Sequence, residues 1–433
     1  MVSEKITGEI RIPQTVVAEI QKEIKNIPEY QEKIKRVLTA RVTEVLEIII
    51  GGAINLEVSD IHLEPGEKQT RIRVRIDGIL QDVTSFDLKT HEVLLSRIKL
   101  ISGIKLNITD RPQDGRFSVV IDDFPIEIRT STLPAEHGES VVLRILNPKS
   151  LITLEALGLK RDLLEIVSRE IKRPNGMVIV TGPTGSGKTT TLYAFLKKIQ
   201  RPGIKIITIE DPIEYHLKEI SQTQVAPRKG YDFASGLKSI MRQDPDVILV
   251  GEIRDLETVQ IALQAALTGH LVLTTLHTND AAGTVARLVS LGANPINIGP
   301  AINITIAQRL IRKACNNCLK LEKASEEDFK KLKKGLKDLP EKIKIPKLSK
   351  EIKIPQAIGC KSCNFTGFRG RIGIFEAFLI DDEIEKFIQT SPSIAGLRKL
   401  AFKKGMVSMK QDGLIKVLHG LTTIEEVERI TGK

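Results

Sequence analysis

Residues 182–189 read Gly-Pro-Thr-Gly-Ser-Gly-Lys-Thr, the G-x-x-x-x-G-K-[ST] pattern of a phosphate-binding loop. This run constrains the fold as well as the chemistry. Its glycines turn successive backbone N–H groups toward a polyphosphate only when a buried strand enters the loop and a helix leaves it. Both flanks are present. Met177-Val178-Ile179-Val180 has the continuous apolar character of a parallel strand buried on two faces, and Thr190–Gln200 suits the helix that follows. Gly182, Pro183, Thr184, Gly185, Ser186, Gly187, Lys188, Thr189 and Thr190 are therefore the candidate nucleotide-binding residues. Lys188 would reach the β- and γ-phosphates and the Thr189 hydroxyl would ligate Mg²⁺. Binding and hydrolysis of a nucleoside triphosphate follow as the expectation.

A phosphate loop needs an acid from a second strand. Asp246–Asp255 supplies one: Val247-Ile248-Leu249-Val250 reads as a buried strand, and Glu252 emerges at its carboxyl end, where ligands of open α/β sheets bind. The common pattern places an Asp directly after the apolar run. Here that position is Gly251, so metal contact, water activation or both fall to Glu252, as general base or orienter of the attacking water. A third strand, Ile204–Ile209, ends in Glu210-Asp211-Pro212-Ile213-Glu214, and a fourth, Leu271–Leu276, is flanked by His270 and His277. By themselves these acids do not separate a layer supporting the metal from ordinary loop acids before a proline. Nor does one histidine separate a γ-phosphate contact from a satisfied polar residue.

Four cysteines occur in two C-x-x-C pairs, Cys315/Cys318 and Cys360/Cys363, with 41 residues between the pairs. Each pair can supply one edge of a tetrahedral thiolate site, for which Zn²⁺ is the expected ion, in a structural role because four thiolates leave no open position. A redox dithiol is the alternative, but it needs no second pair. The pairing would close Leu319–Pro355 into a protruding loop.

Net charge is +11, but it is uneven: Lys320–Lys353 carries twelve Lys against seven Asp or Glu. With no Trp and only 4% aromatic residues, platforms for stacking bases are poorly supplied, so no direct nucleic-acid contact is expected and the lysine run reads as a solvated surface segment. No apolar run has the length to cross a bilayer, and the N-terminus lacks the apolar core of a signal peptide. A cytoplasmic chain, or one docked on a membrane from that side, is expected.

The chain organises into five stretches: a helical arm at 1–44, an α+β domain at 45–148, an α/β phosphate-loop core with a mainly parallel sheet at 149–311, the cysteine subdomain at 312–376 and a helical part at 377–433. Helical spacing runs through Val16, Ile20, Ile24 and Ile27, then Ile34 to Ile49. Pro28 is expected to divide it into two helices, and Gly51-Gly52 to ease or end the second. From 57 to 147 the period changes to two. Turns are expected at Asp77-Gly78 and Asp122-Asp123 and a helix over His91–Ile101.

Together these segments resemble the secretion ATPase superfamily, specifically its type II secretion and type IV pilus assembly branch (the GspE/PilB class). The likeness extends from about residue 45 to the end. Glu210–Glu214 is similar to that family's Asp box, Asp244–Asp255 to its Walker B segment, and His270–Asp280 to its His box. Val58–Pro65, Arg111–Arg116 and Leu133–Glu139 are similar to signatures of its N-terminal domain, and Cys360–Glu376 to its tetracysteine subdomain, which related retraction motors generally lack.

The resemblance implies a RecA-like ATPase core preceded by an α+β (PAS-like) domain, a homo-hexameric ring, and ATP, Mg²⁺ and Zn²⁺ as ligands. It makes Glu210 and His277 site residues beside Glu252, and assigns Arg129 and Arg144 to the phosphates as arginine fingers. It implies a motor at the cytoplasmic face of the inner membrane, acting on a platform protein and possibly a membrane recruitment protein. The short stretch before residue 45 leaves little room for the family's additional N-terminal module; a helix over Val16–Ile27 is the substitute docking element. A nucleic-acid-stimulated ATPase or DNA-uptake motor and a retraction ATPase are the alternative readings.

Overall fold

The computed structural model describes residues 8–148 and 151–432. Residues 1–7 of the expected arm, 149–150 at the start of the expected α/β core and residue 433 lie outside them. The chain divides into two units. The first comprises Met1–Ser150, Cys315–Leu319 and Ala357–Arg369; the second comprises Leu151–Ala314, Lys320–Gln356 and Gly370–Lys433. The two cysteine pairs thus group with the first unit and the lysine-rich segment between them with the second.

The first unit opens with β1 (Glu9–Arg11), α1 (Gln14–Glu23), α2 (Ile27–Val37) and α3 (Val42–Asn55). It continues with β2 (Asp60–Pro65), β3 (Gln69–Ile76), β4 (Ile79–Asp87), α4 (Leu88–Ile101), β5 (Gln113–Ile121), β6 (Phe124–Ala135) and β7 (Gly138–Leu146). Its seven strands lie in the order β1-β5-β6-β7-β2-β3-β4, antiparallel except where β1 joins β5. Asp77-Gly78 and Asp122-Asp123 form the expected hairpin turns, all four residues at positive φ.

Among the described residues three helices, not two, precede β2. Pro28 starts α2 rather than interrupting it, where its missing N–H costs nothing. Gly51-Gly52 does not end α3, which runs on to Asn55. A Cβ at Gly52 would lie 2.5 Å from the Tyr30 ring, so glycine is there to let α2 approach α3 closely. Nor do the first two helices stand apart as an arm. Ile20, Ile24, Tyr30 and Ile34 are buried in one core with Leu46, Ile49, Ile61 and Val74, because their apolar stripes face α3 and the sheet.

The second unit begins with α5 (Arg161–Glu170), β8 (Gly176–Thr181), α6 (Lys188–Ile199), β9 (Ile206–Glu210), β10 (Ser221–Gln224) and α7 (Phe233–Ile240). Then come β11 (Val247–Val250), α8 (Leu256–Leu267), β12 (Leu271–Leu276), α9 (Gly283–Ser290), α10 (Pro295–Ala301) and β13 (Ile302–Ala314). The four strands expected from the apolar runs are all present and mutually parallel, in a seven-stranded sheet ordered β10-β9-β11-β12-β8-β13-β16, where β16 is Phe368–Leu379. Alternate residues of β8 enter different cores, Met177 and Ile179 on one face, Val178 and Val180 on the other. This explains why the strand is continuously apolar.

The lysine-rich segment is not a protruding loop. It forms β14 (Leu319–Lys323), α11 (Glu326–Gly335) and β15 (Lys353–Ala357). Leu332, Leu336 and Ile354 are buried with Leu414 and Val417, so apolar residues hidden among the lysines anchor it. The tail forms α12 (Asp382–Gln389), α13 (Ile394–Lys403), α14 (Met409–Leu418) and α15 (Ile424–Thr431), as its periodicity predicts. No helix among the described residues is long and apolar enough to cross a membrane.

Candidate nucleotide site and cysteine centre

The buried strand β8 delivers the chain to Gly182, where φ is +153° and a Cβ would stand 2.5 Å from the Gln308 carbonyl oxygen. Only glycine fits. The loop then exposes Pro183, Thr184 and Gly185, buries Ser186, and enters α6 at Lys188 through Gly187, with no side chain capping the helix. The first amides of α6 are thus without an intrahelical or side-chain acceptor, which is how a helix start receives an anion. Thr189 and Thr190 lie half-buried in its first turn.

Lys188 folds back over the loop, its Nζ donating to the carbonyls of Gly182 at 2.9 Å and Pro183 at 3.2 Å. Burial lowers its pKa; Glu252 pulls it back up and Arg309 pushes it down. Gln308 on β13 braces the loop from behind: its Nε2 donates to the Ser186 carbonyl at 2.8 Å and its Oε1 accepts from the Thr191 hydroxyl at 2.6 Å. Nothing in the spacing of the sequence marks Gln308 for this task.

Glu252 follows β11. Its position is set by β12: the Thr275 hydroxyl donates to the Gly251 carbonyl at 2.7 Å, and the Ile253 amide donates to the Thr275 carbonyl at 3.2 Å. The carboxylate pairs with Arg254 and lies 3.4 Å from His277 Nε2. Arg254 carried no role in the sequence reading. Burial lowers the pKa of His277 and Lys188 adds to the effect, while Glu252 opposes it. Thr181, the last residue of β8, accepts from the Thr278 amide at 2.9 Å, tying the phosphate loop to the segment after His277. The departure at Gly251 has a steric counterpart: a Cβ there would sit 3.3 Å from both the Glu210 Cα and the Ile209 carbonyl oxygen.

Glu210 ends β9 and is 3% exposed. Its carboxylate accepts from the hydroxyls of Tyr193 and Thr208 and from Gln222 Nε2, and burial raises its pKa. The structure therefore joins Lys188, Glu252 and His277 electrostatically and holds Glu210 in a buried network anchored on α6 and β10.

Arg129 and Arg144 belong to the first unit, where they stand directly opposite each other on β6 and β7. Arg129 Nε donates to Glu127 at 3.3 Å and Arg144 Nε to Asp60 at 3.0 Å. In the same unit the four cysteine sulfurs all lie within 4.8 Å of one another. Three of their separations are 3.9, 3.8 and 3.7 Å. A tetrahedron with Zn–S bonds of about 2.3 Å has edges of about 3.8 Å, so the donor set fits Zn²⁺. Cys363 Sγ accepts from the backbone amides of Cys360 at 3.1 Å and Gly367 at 3.3 Å. The adjoining turn reaches the start of α2: Asn364 Oδ1 accepts from the Ile27 amide at 2.7 Å.

The sequence matches the model of the type II/IV secretion system protein family over residues 36–429. It is 42% identical to the type II secretion system ATPase E of Vibrio cholerae, covering 94% of this chain and 78% of that one. To the type IV pilus assembly ATPase PilB of Thermus thermophilus it is 40% identical, over 88% of this chain and 42% of that one. Among solved structures it is similar to the pilus retraction motor PilT with bound ADP, at TM-score 0.58 and 28% identity, over 89% of this chain and 96% of that one. The Legionella pneumophila ATPase DotB shares the fold, at TM-score 0.63 and 22% identity, over 89% of this chain and 94% of that one. With the phosphate loop, the acid after β11 and the tetracysteine cluster in place, the chain belongs to the type II/IV secretion system protein family.

Proposed function

We propose that this chain is an ATPase that powers assembly of a type II secretion pseudopilus or a type IV pilus, working as a homo-hexamer at the cytoplasmic face of the inner membrane. A platform protein in that membrane receives its motion, with a membrane recruitment protein as a further partner. The observation that carries the reading is the phosphate loop itself: an uncapped helix start, a lysine folded over it, and the Glu252–His277 pair within electrostatic reach of that lysine.

ATP is bound by the α6 amides, and Lys188 exchanges two loop carbonyls for phosphate oxygens. Thr189, with an acid from Glu252 or Glu210, would hold Mg²⁺, whose charge would offset the negative charge that develops on the phosphates. Glu252 takes the proton of the attacking water as the new oxygen–phosphorus bond forms and the bond to the bridging oxygen of ADP breaks. His277 senses the γ-phosphate from beside Glu252. Glu210, held by Tyr193, Thr208 and Gln222, supports the strand end. Arg129 and Arg144 stabilise the charge of the transition state. The four cysteines would hold Zn²⁺ in a structural role, leaving no position open for chemistry.

Replacing Glu252 by Gln tests the assignment. ATP binding persists and turnover falls by about a hundredfold or more. Steady-state phosphate release at the wild-type rate removes Glu252 from the mechanism.

A further inference from the structure

Of the three sequence signatures in the first unit that remain without a role, strand register brings two, Val58–Pro65 and Arg111–Arg116, into one rank. Arg116 on β5 is opposite Arg129 on β6, Arg129 is opposite Arg144 on β7, Arg144 is opposite Asp60 on β2, and Asp60 is opposite Arg75 on β3. Directly paired residues project from the same face of a sheet, so these five form one rank running across five adjacent strands. With strands about 4.8 Å apart the rank is about 19 Å long. It holds four arginines and a single acid.

Like charges directly opposite each other are destabilising, so the place of the acid matters. Asp60 is only 6% exposed. Its Oδ1 accepts from Arg144 Nε at 3.0 Å, while its Oδ2 accepts from the Ser59 hydroxyl at 2.8 Å and lies 3.6 Å from Arg75 Nε. Arg144 remains 58% exposed at its side chain. A buried carboxylate therefore grips the inner edge of an exposed guanidinium. The carboxylate, itself bonded by Ser59, thus fixes the Nε side of the Arg144 guanidinium.

We propose that Asp60 is a positioning residue for phosphoryl transfer, orienting Arg144 toward the phosphates of the bound nucleotide. The inference rests on the assignment of Arg144 to those phosphates. A guanidinium that must meet developing charge gains from being held before the reaction, and displacement by about 1 Å costs up to about a hundredfold in rate.

The test compares Asp60→Asn, Arg144→Ala and the double variant in the full chain, by steady-state ATP hydrolysis and thermal melting. Asp60→Asn is expected to lower kcat about tenfold to a hundredfold with little change in KM. The double variant should be no slower than Arg144→Ala, because removing the arginine leaves Asp60 nothing to orient. Losses that multiply, or an Asp60→Asn enzyme at wild-type rate beside an inactive Arg144→Ala, overturn the proposal. Wild-type turnover by Arg144→Ala instead overturns the reading beneath it. If Asp60→Asn does not fold, Asp60→Glu decides. A reduced kcat at unchanged KM and a native melt supports the role, and a wild-type kcat refutes it.

Discussion

Both units are built on seven-stranded sheets, but they present functional groups in different ways. In the second unit the central strands β8, β9, β11 and β12 are buried throughout, so chemistry is confined to their carboxyl ends and the residues just beyond. A strand end is a short stretch of sequence, and its residues appear as a motif. In the first unit β3 alternates, with Thr70, Ile72, Val74 and Ile76 buried and Arg71, Arg73 and Arg75 on the other face. There the candidate groups lie within the strands and meet neighbours from distant parts of the chain. One architecture writes its site along the sequence; the other writes it across the sheet.

The largest expected effect tests the concentrated site. Lys188→Ala removes the cation folded over the loop carbonyls, and hydrolysis should fall by at least about a hundredfold. Arg116→Ala, at the end of the distributed rank, should cost less than about tenfold because its neighbours remain. Equal losses in the two assays would erase the contrast. Next in size, Gly251→Asp restores the acid of the common pattern but places a Cβ against the Glu210 backbone; thermal melting should report a loss of about 1–3 kcal/mol. A stable, active variant would mean that the departure is incidental. Gln308→Ala leaves the Ser186 carbonyl and the Thr191 hydroxyl without their partner, costing about 1–3 kcal/mol and raising KM for ATP more than it lowers kcat. An unchanged KM would show that the loop holds its shape without that brace. The smallest effect concerns pH. Burial and the Lys188 charge hold His277 below its usual range, so the imidazole is neutral above about pH 6.5 and takes up its proton only in more acid solution. Any limb of the rate profile due to His277 should lie there and vanish in His277→Gln; a limb above neutrality would assign it elsewhere.

The contrast also explains what the sequence revealed. The phosphate loop and Glu252 could be placed because each sits next to an apolar run that announces its strand, whereas His277 entered the candidate site only through the family resemblance. The C-x-x-C pairs were legible because spacing alone defines a tetrahedral edge. Asp60 was not, since its partners Arg144 and Arg75 are brought to it by register alone. Gln308 and Arg254 were missed for a related reason: each acts on a backbone or side chain that spacing does not identify. Gly51-Gly52 misled because a glycine pair signals a break, and here the close approach of Tyr30 overrides that tendency. The lysine-rich segment misled because its composition concealed the buried Leu332, Leu336 and Ile354.

The bond from Asn364 to the Ile27 amide bears on how this protein is made. A ribosome releases α2 early, yet an acceptor for one of its opening amides belongs to a turn more than three hundred residues downstream. Until that turn has been synthesised and shaped by its cysteines, the opening helices lack one of their closing contacts. That one contact of the amino-terminal end therefore waits on most of translation, and a defect in the cysteine-bearing turn would be felt at the opposite end of the polypeptide.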